Sequence, residues 1–155
     1  MNVIYINAFI ESAINVLKVM AFMEAKAGKP YLKNDSVARG DVSGIIAFSG
    51  SLTGSLALSF SESCILKIVS NMLGEEIKTI NNITKDAAGE LTNMISGDAR
   101  KRLQSQGHLI GANIPAVLSG KGHLIRHVLG GPSIVVPFQT EFGEFVVDVN
   151  IKDVQ

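Results

Sequence analysis

Glu90 and Asn93 stand three residues apart within the segment Asp86-Ala-Ala-Gly-Glu-Leu-Thr-Asn-Met-Ile-Ser-Gly97. On a helix, at about 100° per residue, Asp86, Glu90, Asn93 and Gly97 fall within a ~60° sector, with Leu91, Ile95, Ala87 and Ala88 opposite. One side is built to bury; the other presents an acid, an amide and a glycine outward. An ionised Glu accepts hydrogen bonds and pairs with a cation. Asn carries both a donor and an acceptor and can hold a water in orientation. Neither is an activated attacking group, and no Ser-x-x-Lys, Gly-x-Ser-x-Gly or Walker sequence is present. The pair therefore suits positioning a water and docking a partner better than independent catalysis. Asp86 reads first as an acid favouring the helix N-terminus. Gly97 leaves a flat place where a partner can come close. Arg100 and Lys101 continue the exposed face, either as a solvated end or as charges that steer an acidic partner.

The elements that must carry these residues follow from periodicity. Thr84 is read as the cap of a long helix that runs to about Gln106 and is ended by Gly107. An earlier amphipathic helix spans about 7–27, with Phe9, Ile10, Ala13, Ile14, Leu17, Met20 and Ala21 at helical spacing. Gly28 and Pro30 close it. Ser43 to Phe48 and Ser55 to Phe60 form a strand pair, and Ser61 caps a helix from Glu62 to Leu73 with Gly74 at its end. Residues 31–40 read as a connection or a short strand. Further strands are expected near His108 to Ile114 and Leu124 to Leu129, before a hairpin of Ile134 to Gln139 with Glu144 to Ile151. Gly54 to Phe60 parallels Gly143 to Val149, so helix-then-strand-pair occurs twice. This predicts an α+β domain with helices over one face of an antiparallel sheet.

Composition narrows the function. The chain has 155 residues, 46% of them hydrophobic, enough for one domain with a real core. Lys+Arg and Asp+Glu number 14 each, which argues against nucleic-acid binding through bulk charge. The single cysteine, Cys64, excludes an intrachain disulfide and reads as buried filler. There is no basic n-region, and Glu11 interrupts the first apolar stretch, so no secretory leader or membrane span is expected and the cytoplasm is the expected location. His123 and His127 are four apart, but the glycines at 120, 122, 130 and 131 argue against a helix there, and no third ligand is evident; no metal site is expected. Gly120-Lys-Gly122 reads as a structural turn.

Three segments resemble the CheC/CheX family of chemotaxis phosphatases, most closely its CheX-like members. Glu90, Asn93 and Gly97 match the family's Glu-x-x-Asn and Asn-x-x-x-Gly. Pro115 to His123 is similar to its Pro-x-Val-x-x-Gly-Lys-x-His, and Ile134 to Ile151 to its closing hairpin with Pro-Phe-x-Thr and Gly-x-Phe. The resemblance implies a pseudo-symmetric CheC/CheX-like fold across residues 1–155. It implies a phosphatase acting on the aspartyl phosphate of a CheY-like response regulator in chemotaxis or related signalling. Asn93 would orient the attacking water and Glu90 would engage the regulator's lysine. Asp86, Gly97, Arg100 and Lys101 are the candidates for partner contact. No cofactor is expected on this chain; Mg²⁺ would sit on the phosphorylated partner. CheC-like members carry two motifs. Here the matching place in the first helix holds Glu11 and Asn15, four apart, which implies a single site. The resemblance implies a homodimer through a sheet edge, and the chain suits it with several short β runs and no protecting proline on the 55–60 strand. The alternative is a catalytically silent domain of the same fold that docks a regulator or scaffolds a flagellar switch component.

Overall fold

The computed structural model describes residues 3–154. Three helices, α1 (Val3–Ala21), α2 (Glu62–Leu73) and α3 (Asn82–Gln104), lie on one face of an antiparallel sheet. Its strands are β1 (Lys26–Ala27), β2 (Tyr31–Lys33), β3 (Val42–Gly50), β4 (Leu52–Phe60), β5 (Ile110–Ala112), β6 (Ala116–Ser119), β7 (Ser133–Thr140) and β8 (Gly143–Asp153). The order is β1-β7-β8-β4-β3-β5, with β2 alongside β7 and β6 alongside β3. This is the α+β arrangement expected.

Alternation along the strands explains the layering. Val42, Ile46 and Phe48 of β3, Leu56, Leu58 and Phe60 of β4, and Phe145, Val147 and Val149 of β8 all face the helices and join the main core. Phe60, Phe145 and Phe138 form a stacked row, with ring centroids 5.4 Å and 4.6 Å apart. The internal repeat has a geometric counterpart: its two segments pair with each other, Leu58 opposite Val147, each the fifth residue of its segment.

Several expectations are corrected. α1 ends at Ala21, six residues short of the expected end near residue 27 and well before the glycine and proline expected to stop it. Phe22 turns into the left-handed region at φ 53°, and Met23 donates its N–H to the Leu17 carbonyl. Burial of Met23 rewards that early turn, and Lys26–Ala27 then pair with β7. At 19 residues α1 is also apolar enough, by length and composition, to cross a membrane. In this fold it is a core helix, with Phe9, Ala13 and Leu17 buried. The cap of α3 is Asn81; Thr84 is the third helical residue and closes a reciprocal capping box with it. Residues 124–129 form no strand, only an isolated bridge between Leu124 and Val37; they cross the sheet's second face, where Ile125 packs on Ala38 and Ala57.

The strand at 55–60 is no edge. β4 is paired on both sides, by β3 and β8, and the edges are the short β1, β2, β5 and β6. Ser61 and Gly74 bound α2 as expected. Cys64 is fully buried, and burial pushes its thiol up to about 11, so it is protonated at neutral pH.

Candidate active site

α3 is held rigidly along its inner side. Ala88, Leu91, Ile95, Ala99 and Leu103 enter the core. At its middle, Thr92 sits directly over Gly44 of β3, where a Cβ would come within 1.9 Å of the Thr92 hydroxyl oxygen. The missing side chain at Gly44 is what lets helix and sheet approach. Gly89 does the same beside β6, where a Cβ would stand 3.1 Å from Val117. The Thr92 hydroxyl is satisfied by the Ala88 carbonyl at 2.8 Å.

The outer side carries Asp86, Glu90 and Asn93, all exposed. They line one cleft of about 570 Å³ with Lys85, Gly89, Ala112, Asn113, Ile114, Pro115 and Val117. Neither the Glu90 nor the Asn93 side chain is hydrogen-bonded to another described residue, so both are available outward. Gly97, Arg100 and Lys101 lie further along the helix and line a second, smaller depression of about 240 Å³ with His108 and Leu109. A Cβ at Gly97 would meet nothing closer than the Arg100 guanidinium at 3.9 Å, so packing within the chain does not demand a glycine there. The Arg100 side chain donates to the Ser96 hydroxyl at 3.3 Å. The matching residue of the first helix is differently employed: Glu11 is held by Arg102 at 3.0 Å, and Arg102 also binds Asp98.

Sequence reasoning missed the far wall of the cleft. Asn113, Ile114 and Pro115 reach it from the opposite strand edge, and the only local sign was an Asn-Ile-Pro run that interrupts a strand. It also missed a buried polar clasp on the sheet's second face. Lys33 and Asp148 form an ion pair at 2.9 Å, with side-chain exposures of 1% and 0%. His127 bridges Asp148 at 2.8 Å and Ser55 at 2.7 Å. Burial by itself pushes the Asp148 carboxyl up, but hydrogen bonds from His127, Lys33 and Ser133 outweigh it and hold it below the usual carboxylate range. Ser55, His127 and Asp148 have the composition of a nucleophile triad, yet Ser55 is buried and its oxygen accepts the Val128 N–H. With no access for a substrate, the group serves to pin the 120–132 segment onto the sheet. His123 acts likewise, joining Ser43 at 2.7 Å. Among the described residues, no three His, Cys, Asp or Glu side chains converge as a metal site.

The geometry has close parallels. Residues 42–139 match the family model described as chemotaxis phosphatase CheX. The CheY-P phosphatase CheX of Thermotoga maritima is 31% identical over 122 residues, covering 78% of this chain and 79% of that protein. The crystal structure of a CheC-like superfamily protein from Shewanella sp. PV-4 superposes with a TM-score of 0.90 at 44% identity, over 98% of this chain and 99% of that one. The CheX of a CheX–CheY–BeF3–Mg²⁺ complex from Borrelia burgdorferi superposes at 0.81 with 26% identity, over 96% and 98% of the two chains. With a family match across most of its length and a curated relative above 30% identity, the chain belongs to the CheX family of chemotaxis phosphatases.

Proposed function

We propose that this protein hydrolyses the aspartyl phosphate of a CheY-like response regulator. The observation that carries the reading is the Glu90–Asn93 pair: both side chains are exposed, unpaired within the described residues, and line a cleft from a helix whose inner face is buried. The Thermotoga relative is a CheY-P phosphatase, and the Borrelia relative binds CheY in its complex.

The chemistry needs little from this chain beyond placement. Asn93 uses its carboxamide to hold one water in line with the bond between phosphorus and the aspartyl oxygen. The water oxygen bonds to phosphorus as the aspartyl oxygen leaves with the bonding electrons. Inorganic phosphate departs, the water's proton passes to phosphate or solvent, and the regulator's carboxylate is restored. Glu90 pairs with the regulator's lysine and fixes the approach. Mg²⁺ resides on the regulator, and this chain contributes no cofactor. Asp86 on one side, and Gly97, Arg100 and Lys101 on the other, extend the contact. The reading places the protein in the cytoplasm with its regulator. A homodimer accompanies it, formed through the free outer edge of β2 or of β6.

Stopped-flow dephosphorylation of a regulator charged with acetyl phosphate tests the assignment. Asn93→Ala should cut turnover by about 10²-fold or more, the scale of one positioned catalytic group. Glu90→Ala should impair both docking and turnover, and the double variant should fall far short of the product of the two losses. Near-wild-type rates in both single variants, correctly folded, would sink the phosphatase reading and leave a docking module.

A further inference from the structure

The wall of the cleft facing Glu90 and Asn93 is built by a distortion of the sheet edge. β5 and β6 are two short runs of one edge, both paired with β3. Ala112 lies opposite Phe48, and Ala116 lies opposite Ile45. Between these anchors β3 has Ile46 and Ala47, whereas the edge has Asn113, Ile114 and Pro115. The edge therefore carries one extra residue, which makes a β-bulge.

Asn113 determines which residue is expelled. Its backbone N–H donates to the Ala47 carbonyl at 3.2 Å, and its side-chain oxygen accepts the Ala47 N–H at 3.0 Å. The carboxamide thus stands in for the backbone carbonyl that a regular strand would supply. Pro115 has no N–H with which to continue the ladder. The residue between them has nowhere to pair, and Ile114 is left 89% exposed, the most exposed large hydrophobic side chain among the described residues. It lines the same cleft as Glu90 and Asn93. Ile114 therefore lies on the rim that a macromolecule docking across this cleft to reach Asn93 would meet.

We infer that Ile114 is a specificity-determining contact for the regulator: an apolar anchor, held out by the bulge, that selects a receiver surface with an apolar patch beside its phosphorylated aspartate. The inference rests on the function proposed above. Glu90 and Asn93 answer features that the proposed reaction requires of any substrate, a lysine and an acyl phosphate. They cannot by themselves distinguish one regulator from another, whereas an apolar side chain at the rim can. Recognition by Ile114 is a binding effect shared by ground and transition states, so it belongs to KM and not to kcat.

The test uses the full chain and the regulators of the organism that makes it. Steady-state dephosphorylation is measured alongside fluorescence-anisotropy binding to each regulator loaded with beryllofluoride. Ile114→Ser should raise both KM and Kd about tenfold or more, the fold-change expected from losing the burial of one large aliphatic side chain. Its kcat should stay within about twofold, because no positioned group is touched. Ile114→Leu should restore most of the affinity, and the melting temperature should not move in either variant. An active wild-type protein whose KM and Kd are unchanged by Ile114→Ser overturns the inference and leaves the phosphatase reading intact. A wild-type protein that binds a regulator through Ile114 but does not dephosphorylate it keeps the inference and overturns that reading. Loss of a dimer in Ile114→Ser with KM unchanged would assign the side chain to a second copy of the chain and overturn the inference. Failure to bind any regulator of the organism overturns both.

Discussion

Gly44→Ala should damage catalysis from the far side of the helix that carries the site. Gly44 lies in the middle of β3, paired with Leu58 on one side and Val117 on the other, so its backbone has little freedom to yield. The new methyl would stand 1.9 Å from the Thr92 hydroxyl oxygen and 2.9 Å from its Cβ. Ordinary contact between carbon atoms begins near ~3.5 Å. If Thr92 keeps its rotamer, the helix must lift by about 1.6 Å; if the hydroxyl swings away, a lift of about 0.6 Å is still needed. The swing also breaks the 2.8 Å bond to the Ala88 carbonyl and strands a buried hydroxyl. Overpacking and the stranded group together should cost about 2–4 kcal/mol. For a domain of this size that lowers Tm by roughly 5–15 °C. Thr92 lies between Glu90 and Asn93, so the same lift moves the water-holding amide. A displacement approaching 1 Å should lower kcat by about 10- to 10²-fold in protein that remains folded at the assay temperature. Calorimetry and stopped-flow dephosphorylation read the two effects separately. Adding Thr92→Ala should recover part of both, with a coupling of at least about 1 kcal/mol in the double-mutant cycle. A Gly44→Ala protein with wild-type Tm and kcat would refute the argument that this close approach positions the site.

Asp148→Ala should destabilise the protein by about 3–5 kcal/mol in urea unfolding, because it strands the buried Lys33 ammonium. The rate per folded molecule should be kept, since the clasp lies on the sheet face away from α3; a loss below about 1 kcal/mol would show that the pair is hydrated or replaceable. Because the folded Asp148 carboxyl titrates below its unfolded value, its contribution is complete above about pH 5 and is lost as pH falls through the folded value. Wild-type stability should therefore fall more steeply on acidification than that of Asp148→Asn, and parallel pH profiles would count against this assignment. Light scattering at micromolar concentration should return a dimer, and a monomer unchanged by dilution or concentration would remove the homodimer from the proposed reading.

The helix face that carries Glu90 and Asn93 was legible in the sequence because helical geometry repeats every few residues. Once Leu91 and Ile95 point inward, Asp86, Glu90 and Asn93 must point out. The same locality made the β3–β4 and β7–β8 hairpins, the Ser61 cap and the Gly74 stop readable, because each is decided by neighbours in the chain. Even there the limits were local. Asn81 and Thr84 both suit a helix start, and only the reciprocal hydrogen bonds show which of them is the cap. α1 stops at Ala21 because burying Met23 outweighs a helical continuation toward Gly28, a competition settled by packing.

Sheet order and everything built across it depended on contacts between distant segments. β4 became a central strand only through its pairing with β8, which moved the free edges elsewhere. Gly44 is an unremarked glycine until β3 register places it beneath Thr92. Asn113 and Ile114 reach the site because β5 and β6 share β3 out of step by one residue. Lys33, Ser55, His127 and Asp148 sit on separate segments, and no spacing in the chain signals that they meet. A periodic pattern specifies which way a side chain faces along its own element; which side chain it then faces is determined by strand register and layer packing, which the folded chain alone supplies.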